Sequence, residues 1–165
     1  MRFGDIFRKA ESAPAPYIRY ESEARLYEYA DKLIVCSVAG IAETDSLSVL
    51  AVDAPARDLG TAVMKHLGEF ELQNARSMCN DKLADWAAYR VSGASSGKAF
   101  ESHLWHVDLA LMNSAVLVWA RPRLSLRDAI SAYTHANRHN NAEGIGEAVR
   151  MALAAAKALR GTGLI

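Results

Sequence analysis

Several short stretches carry residues with the types and spacing of catalytic or metal sites. Ser95-x-x-Lys98 has the nucleophile–base spacing of serine acyltransferases, but the accompanying S-D-N and K-T-G elements are missing. Gly93-Ala94-Ser95-Ser96-Gly97-Lys98 is one residue short of a phosphate-binding loop. Ala99 stands where that loop needs a magnesium-binding hydroxyl, and a helix precedes it instead of a strand. A helix cap at Ser95 or Ser96 accounts for the stretch more simply. His103 and His106, and His135 and His139, have spacings a metal could use. Zinc takes three or four ligands, and no cysteine pair or carboxylate cluster stands beside them, so no metal site is assigned. His106 and Asp108 share one face of a strand, without a nucleophile nearby in sequence. The chain therefore reads as non-enzymatic and without a cofactor. A small enzyme built around His103, His106 and Asp108 is the alternative.

The elements that must position these residues follow from periodicity. Residues 10–16, AESAPAP, form a linker behind an N-terminal segment, and a single domain spans 17–165. Tyr17–Tyr20 reads as a short strand. Arg25–Ala30 and Leu33–Val38 form two strands joined by a tight turn at Asp31-Lys32. The second is apolar except at Ser37, as expected of a strand covered on both faces. Gly40–Ser46 reads as a polar connection, and Leu47–Val52 as another strand. Pro55 opens a helix to residue 70, with its stripe at Leu59, Ala62, Val63, Leu67 and Phe70. Residues 73–80 read as a loop, and a second helix runs from Asn80 or Asp81 to Gly93 with Leu83, Trp86, Ala87 and Val91 on one side. A short helix carries Phe100. Leu104–Met112 alternates with Trp105, Val107, Leu109 and Leu111 inward and His106, Asp108 and Ala110 outward. Asn113-Ser114 turns the chain into a strand at Ala115–Ala120, and 127–136 alternates as an edge strand. A final helix at 143–160 has its stripe at Ile145, Val149, Ala152, Leu153, Ala156 and Leu159. The expected fold is α+β, with a five- or six-stranded mixed or antiparallel sheet packed by three main helices.

One similarity is internal. Leu59-Gly60-Thr61-Ala62-Val63 and Ile145-Gly146-Glu147-Ala148-Val149 share an L/I-G-x-A-V pattern in two helices. Glycine in a helix costs about 1 kcal/mol against alanine, so the pair suggests close approach of each helix to the sheet.

At 165 residues the chain is long enough for a sizeable core, and 51% hydrophobic with 23% charged residues is a globular composition. Zero net charge argues against direct nucleic-acid binding through bulk positive charge. The charge is unevenly placed: residues 1–120 hold 12 Lys/Arg and 16 Asp/Glu, residues 121–165 hold 7 and 3. Two cysteines, Cys36 and Cys79, make no disulfide framework, which fits a reducing cytoplasm, and Cys36 reads as a small buried hydrophobe. No run is long enough to span a membrane, and the N-terminus, interrupted by Asp5, Arg8 and Lys9, lacks a signal-peptide core.

Trp86, Ser92-Gly93, Ser96-x-Lys98-Ala99-Phe100-Glu101, two strands closing on Ala120-Arg121-Pro122-Arg123, and Ile145-Gly146-Glu147-Ala148-Val149 together resemble the immunity proteins of bacterial contact-dependent growth inhibition (CDI) systems. The resemblance covers about residues 83–160. It implies stoichiometric inhibition, in the cytoplasm, of the C-terminal toxin domain of a CDI exoprotein, often a nuclease, and transfers no catalytic residue. The acidic set Glu21, Glu23, Glu28, Asp31, Glu43 and Asp45 could face a basic toxin surface, or be an ordinary solvated edge. A homo-oligomeric scaffold, with the 127–136 edge strand pairing across a two-fold axis, is the rival from another class; a homodimer would arise the same way.

Overall fold

The computed structural model describes residues 20–40, 42–71, 82–122, 131–139 and 141–163. The linker, the strand expected before Tyr20, the 73–80 loop, Cys79 and residues 123–130 lie outside them. Six strands, β1 (Ser22–Tyr29), β2 (Lys32–Ala39), β3 (Ala42–Ala51), β4 (Trp105–Met112), β5 (Ala115–Pro122) and β6 (Ala132–Asn137), form one antiparallel sheet in the order β3-β2-β1-β4-β5-β6. The α-helices are α1 (Ala56–Gly68), α2 (Ala87–Ser92), α3 (Gly97–His103) and α4 (Ala142–Gly161). The fold is α+β.

The strand order is symmetric about the β1–β4 pair. Each half is an antiparallel meander of three strands, β1–β3 or β4–β6, followed by a long helix, α1 or α4. The two L/I-G-x-A-V segments occupy equivalent places, in the first turns of α1 and α4. Their glycines meet at the helix crossing. A Cβ on Gly60 would lie 1.6 Å from the carbonyl oxygen of Ala142, and one on Gly146 would lie 1.9 Å from that of Ala56. Each glycine thus receives the carbonyl four residues before the other. The close approach is between helices, not between helix and sheet as the sequence suggested.

Below the crossing, Leu59, Ala62, Val63 and Leu67 of α1 and Ile145, Val149, Ala152, Leu153 and Ala156 of α4 pack on one sheet face. That face presents Ala24, Leu26, Leu33, Val35, Val107, Leu109, Val116 and Val118. The opposite face is covered unevenly. Residues 82–104 lay Leu83, Trp86, Ala88, Phe100 and Leu104 over Tyr27, Ile34 and Cys36. They shield the β1–β3 half, and among the described residues nothing equivalent lies over β5 and β6.

Three expectations change. The polar run Glu43–Ser46 is inside β3, because Gly40 at φ 61° turns the chain tightly and partners distant in sequence satisfy those side chains. The second helix is broken: a 3₁₀ turn at Leu83–Asp85 is followed by Trp86 in extended backbone, which caps α2. His106 belongs to the outward set of β4 and yet is buried, because that face is covered at β1. Other features agree with the sequence reading. Gly93 ends α2 in the left-handed region, Ser96 caps α3 by accepting from the Ala99 N–H, Asn113 turns β4 into β5, and β6 is an edge strand.

The crossing makes a test. Gly60→Ala gains helix propensity but drives a methyl into backbone, so a net loss of about 2–3 kcal/mol is expected in urea unfolding. Gly68→Ala, with nothing within 4 Å of the added carbon, is the control and should be neutral or slightly stabilising. Equal stabilities for the two variants would contradict the crossing geometry.

Candidate functional site

The six acids proposed from sequence do not gather into one patch. Glu23 and Glu28 are five apart on β1, an odd separation, so they leave opposite faces of the sheet. Glu28 accepts from Lys157 of α4 at 2.5 Å. Glu21 is exposed, accepts from the Asn113 N–H at 2.8 Å and lies 3.6 Å from Arg138. Asp31 is exposed in the β1–β2 turn, where its carbonyl accepts from the Val52 N–H. Asp45 is exposed and paired with Arg90. Glu43 does not reach solvent. Its carboxylate accepts from the Tyr27 hydroxyl at 2.5 Å and the Ala88 N–H at 3.2 Å, with Arg25 at 4.0 Å.

On the unevenly covered face, cross-strand register assembles a polar floor. Arg25 is opposite Asp108, Tyr27 opposite His106, and His106 opposite Arg121. Tyr27 and His106 stack with centroids 5.1 Å apart. Arg25 lies over the Trp86 ring at 5.9 Å. Arg121 donates to Asp108 at 2.7 Å and, through Nε, to Nδ1 of His106 at 3.3 Å. The imidazole proton therefore sits on Nε2, which is 3.3 Å from Asp108 Oδ1 but not aligned for a hydrogen bond. Burial lowers the His106 pKa to about 4, against the opposing pull of Asp108. Desolvation raises that of Glu23, against the pull of Arg25. Tyr27 is pushed well up by burial and by Glu43. His103 is exposed on α3, and neither histidine pair gathers further ligands; among the described residues no three His, Cys, Asp or Glu side chains cluster to hold a metal.

Beside this floor an aromatic row crosses the β5–β6 half. Tyr20 packs on Trp119 at 5.8 Å, Trp119 on Tyr133 at 5.6 Å, and Tyr133 on His135 at 6.2 Å. Tyr133 is 54% exposed. The sequence reading did not join Trp119 with Tyr133 and His135; the β5–β6 register, with Trp119 opposite Tyr133, brings them to one face.

A second polar cluster escaped the sequence reading. At the far edge of the sheet, on the α1 side, buried His66 is held by Ser37 on Nδ1 (2.7 Å) and Ser48 on Nε2 (2.9 Å). Glu69 lies 3.1 Å from Nδ1 and accepts from Ser37 at 2.6 Å and Ser46 at 2.7 Å. The two hydroxyls hold the Glu69 pKa down at about 2, and burial lowers that of His66. The signal was present: Ser46 and Ser48 alternate on a strand, and His66 and Glu69 are i,i+3 on a helix. Nothing in sequence joined the two.

No protein-family model and no curated protein matches the chain. Solved structures do. A protein of unknown function from Neisseria meningitidis is 20% identical with a TM-score of 0.66, over 84% of this chain and 98% of that one. A chain of a CdiA-CT/CdiI toxin and immunity complex from Yersinia pseudotuberculosis is 11% identical with a TM-score of 0.58, over 83% and 97%. The fold is shared along nearly the full length of both. No described helix is long and apolar enough to cross a membrane.

The His106 environment sets a pH dependence. An unfolded histidine takes up its proton near pH 6.5, the buried one only near pH 4, so the unfolded chain binds more protons between these values. Stability should fall as pH drops from 6.5 to 4 and this contribution should level off below, at about 3 kcal/mol lost. His106→Gln should remove that part of the slope in urea titrations at pH 7 and 4.5; an unchanged slope would contradict the assignment.

Proposed function

We propose that the protein is an immunity protein that binds the C-terminal toxin domain of a CDI system one-to-one in the cytoplasm and blocks its activity, that of a nuclease. The observation that carries this reading is the likeness, over 83% of this chain and 97% of that one, to a chain of a toxin and immunity complex. The sequence motifs that resemble CDI immunity proteins support it independently of that likeness.

The toxin-facing surface in this reading is the open half of the sheet. It offers Trp119, Tyr133 and Arg121, the residue types that dominate binding energy at interfaces, on a rigid strand platform. Its polar edge carries Glu23, an acid that suits a basic partner, while Asp108 is engaged by Arg121. Of the acids first considered, Glu23 belongs to this surface, while Glu28 and Glu43 have internal partners.

A second reading, self-association through the outer edge of β6, draws on that strand's position at the sheet edge. Light scattering at twice the 18.0 kDa chain mass would favour it.

Co-expression with a CDI toxin domain, which the organisation of such systems would place beside the gene, tests the first reading. The wild-type protein should restore growth; failure to protect would remove the proposal. Trp119→Ala and Tyr133→Ala should each weaken toxin binding by about 2 kcal/mol, roughly 30-fold. Glu23→Lys should slow association at low salt. Full affinity in the Trp119/Tyr133 double variant would move the interface elsewhere.

A further inference from the structure

The Ser37–Ser46–Ser48–His66–Glu69 cluster is not demanded by the architecture. Six residues after Gly146, in the equivalent place on α4, stands Ala152 where α1 has His66. The strands under α4 face it with Val116, Val118, Ala120, Ala132 and Ala136. The same packing task is thus met in the second half by apolar side chains. Enclosing an imidazole and its hydroxyl partners costs desolvation that such side chains avoid.

The hydrogen bonds dictate the proton positions. The single Ser37 hydroxyl proton goes to Glu69 Oε2, so Ser37 Oγ can only accept from His66, and Nδ1 carries the imidazole proton. Nε2 is left as an acceptor, and the Ser48 hydroxyl donates to it at 2.9 Å. Glu69, ionised through its two serine donors, lies 3.1 Å behind Nδ1. This is the arrangement of an activated serine: nucleophile, neutral base, and an acid that stabilises the charged imidazole. Ser48 is half-buried on β3, an edge strand whose outer side no described strand pairs.

We propose that Ser48, His66 and Glu69 form an acyl-transfer centre for small esters, separate from the toxin-facing surface. Ser48 Oγ bonds to the ester carbonyl carbon while its proton passes to His66 Nε2. The tetrahedral intermediate then expels the alcohol, which takes that proton, and leaves an acyl-serine. Water, deprotonated by His66, attacks the acyl carbon. Ser48 leaves with the proton, and a carboxylic acid is released. Glu69 and Ser37 are positioning residues that hold the imidazole.

The test uses p-nitrophenyl acetate with the intact protein at pH 7.5, following nitrophenolate release and mapping the adduct by mass spectrometry. Acetylation of Ser48 is expected, with the rate falling about 100-fold or more in Ser48→Ala. Glu69→Gln should slow acylation and shift its pH profile. Phenylmethylsulfonyl fluoride should modify Ser48 in the wild-type chain, a readout that needs no folded variant. Folded wild-type protein showing no adduct on Ser48 with either reagent would overturn the proposal, as would equal nitrophenolate release from a folded Ser48→Ala. Toxin neutralisation should persist in Ser48→Ala, so failure here leaves the immunity reading standing.

Discussion

The contact on which the structure depends is the reciprocal seating of Gly60 and Gly146 at the α1–α4 crossing. Each helix brings a backbone carbonyl to within bonding distance of where the other's side chain would begin, so no residue larger than glycine fits without moving a helix. Such proximity sets how far both helices sit from each other, and hence how their apolar stripes divide one face of the sheet between them. Helix propensity is lost at both positions; the packing of two amphipathic helices over six strands outweighs it. Because the contact is symmetric, so is the scaffold: two three-strand meanders joined through β1 and β4, each closed by its own helix.

Function in this account comes from what breaks that symmetry. The 82–104 segment is inserted between α1 and β4 and covers the second sheet face over β1–β3. It carries Trp86 and Phe100 into a cluster with Tyr27, and its Ala88 N–H helps to hold Glu43. The β5–β6 half keeps its aromatic row uncovered by any described residue. At the opposite edge, the first half holds a serine–histidine–glutamate cluster where the second half has alanine and valine. A symmetric frame with two asymmetric additions thus yields two chemically different surfaces.

Much of this was legible in the residues. Apolar periodicity located the packing faces of α1, β4 and α4, and the repeated L/I-G-x-A-V pattern marked the crossing. Periodicity specifies a face, however, not what meets it, so the glycines were assigned to the sheet when their partners are carbonyls of the other helix. The run Glu43–Ser46 looked like a connection because its polar residues break strand alternation. The side chains that satisfy them, Tyr27, Glu69 and Arg90, are 16 or more residues away. The acidic set failed as a patch for a similar reason: composition gathers Glu23, Glu28 and Glu43, while strand pleat and burial separate them. His66 and Glu69 stood as an isolated i,i+3 pair because the serines that complete their cluster lie on β2 and β3 and only tertiary packing joins them.

Calorimetric titration of the CDI toxin domain proposed as its partner with this protein addresses the central claim most directly. One-to-one binding with nanomolar affinity, about −12 kcal/mol, together with loss of toxin activity at equivalence, is the predicted result. No heat and no inhibition up to tens of micromolar would contradict it, and the shared fold would then serve another purpose in this chain.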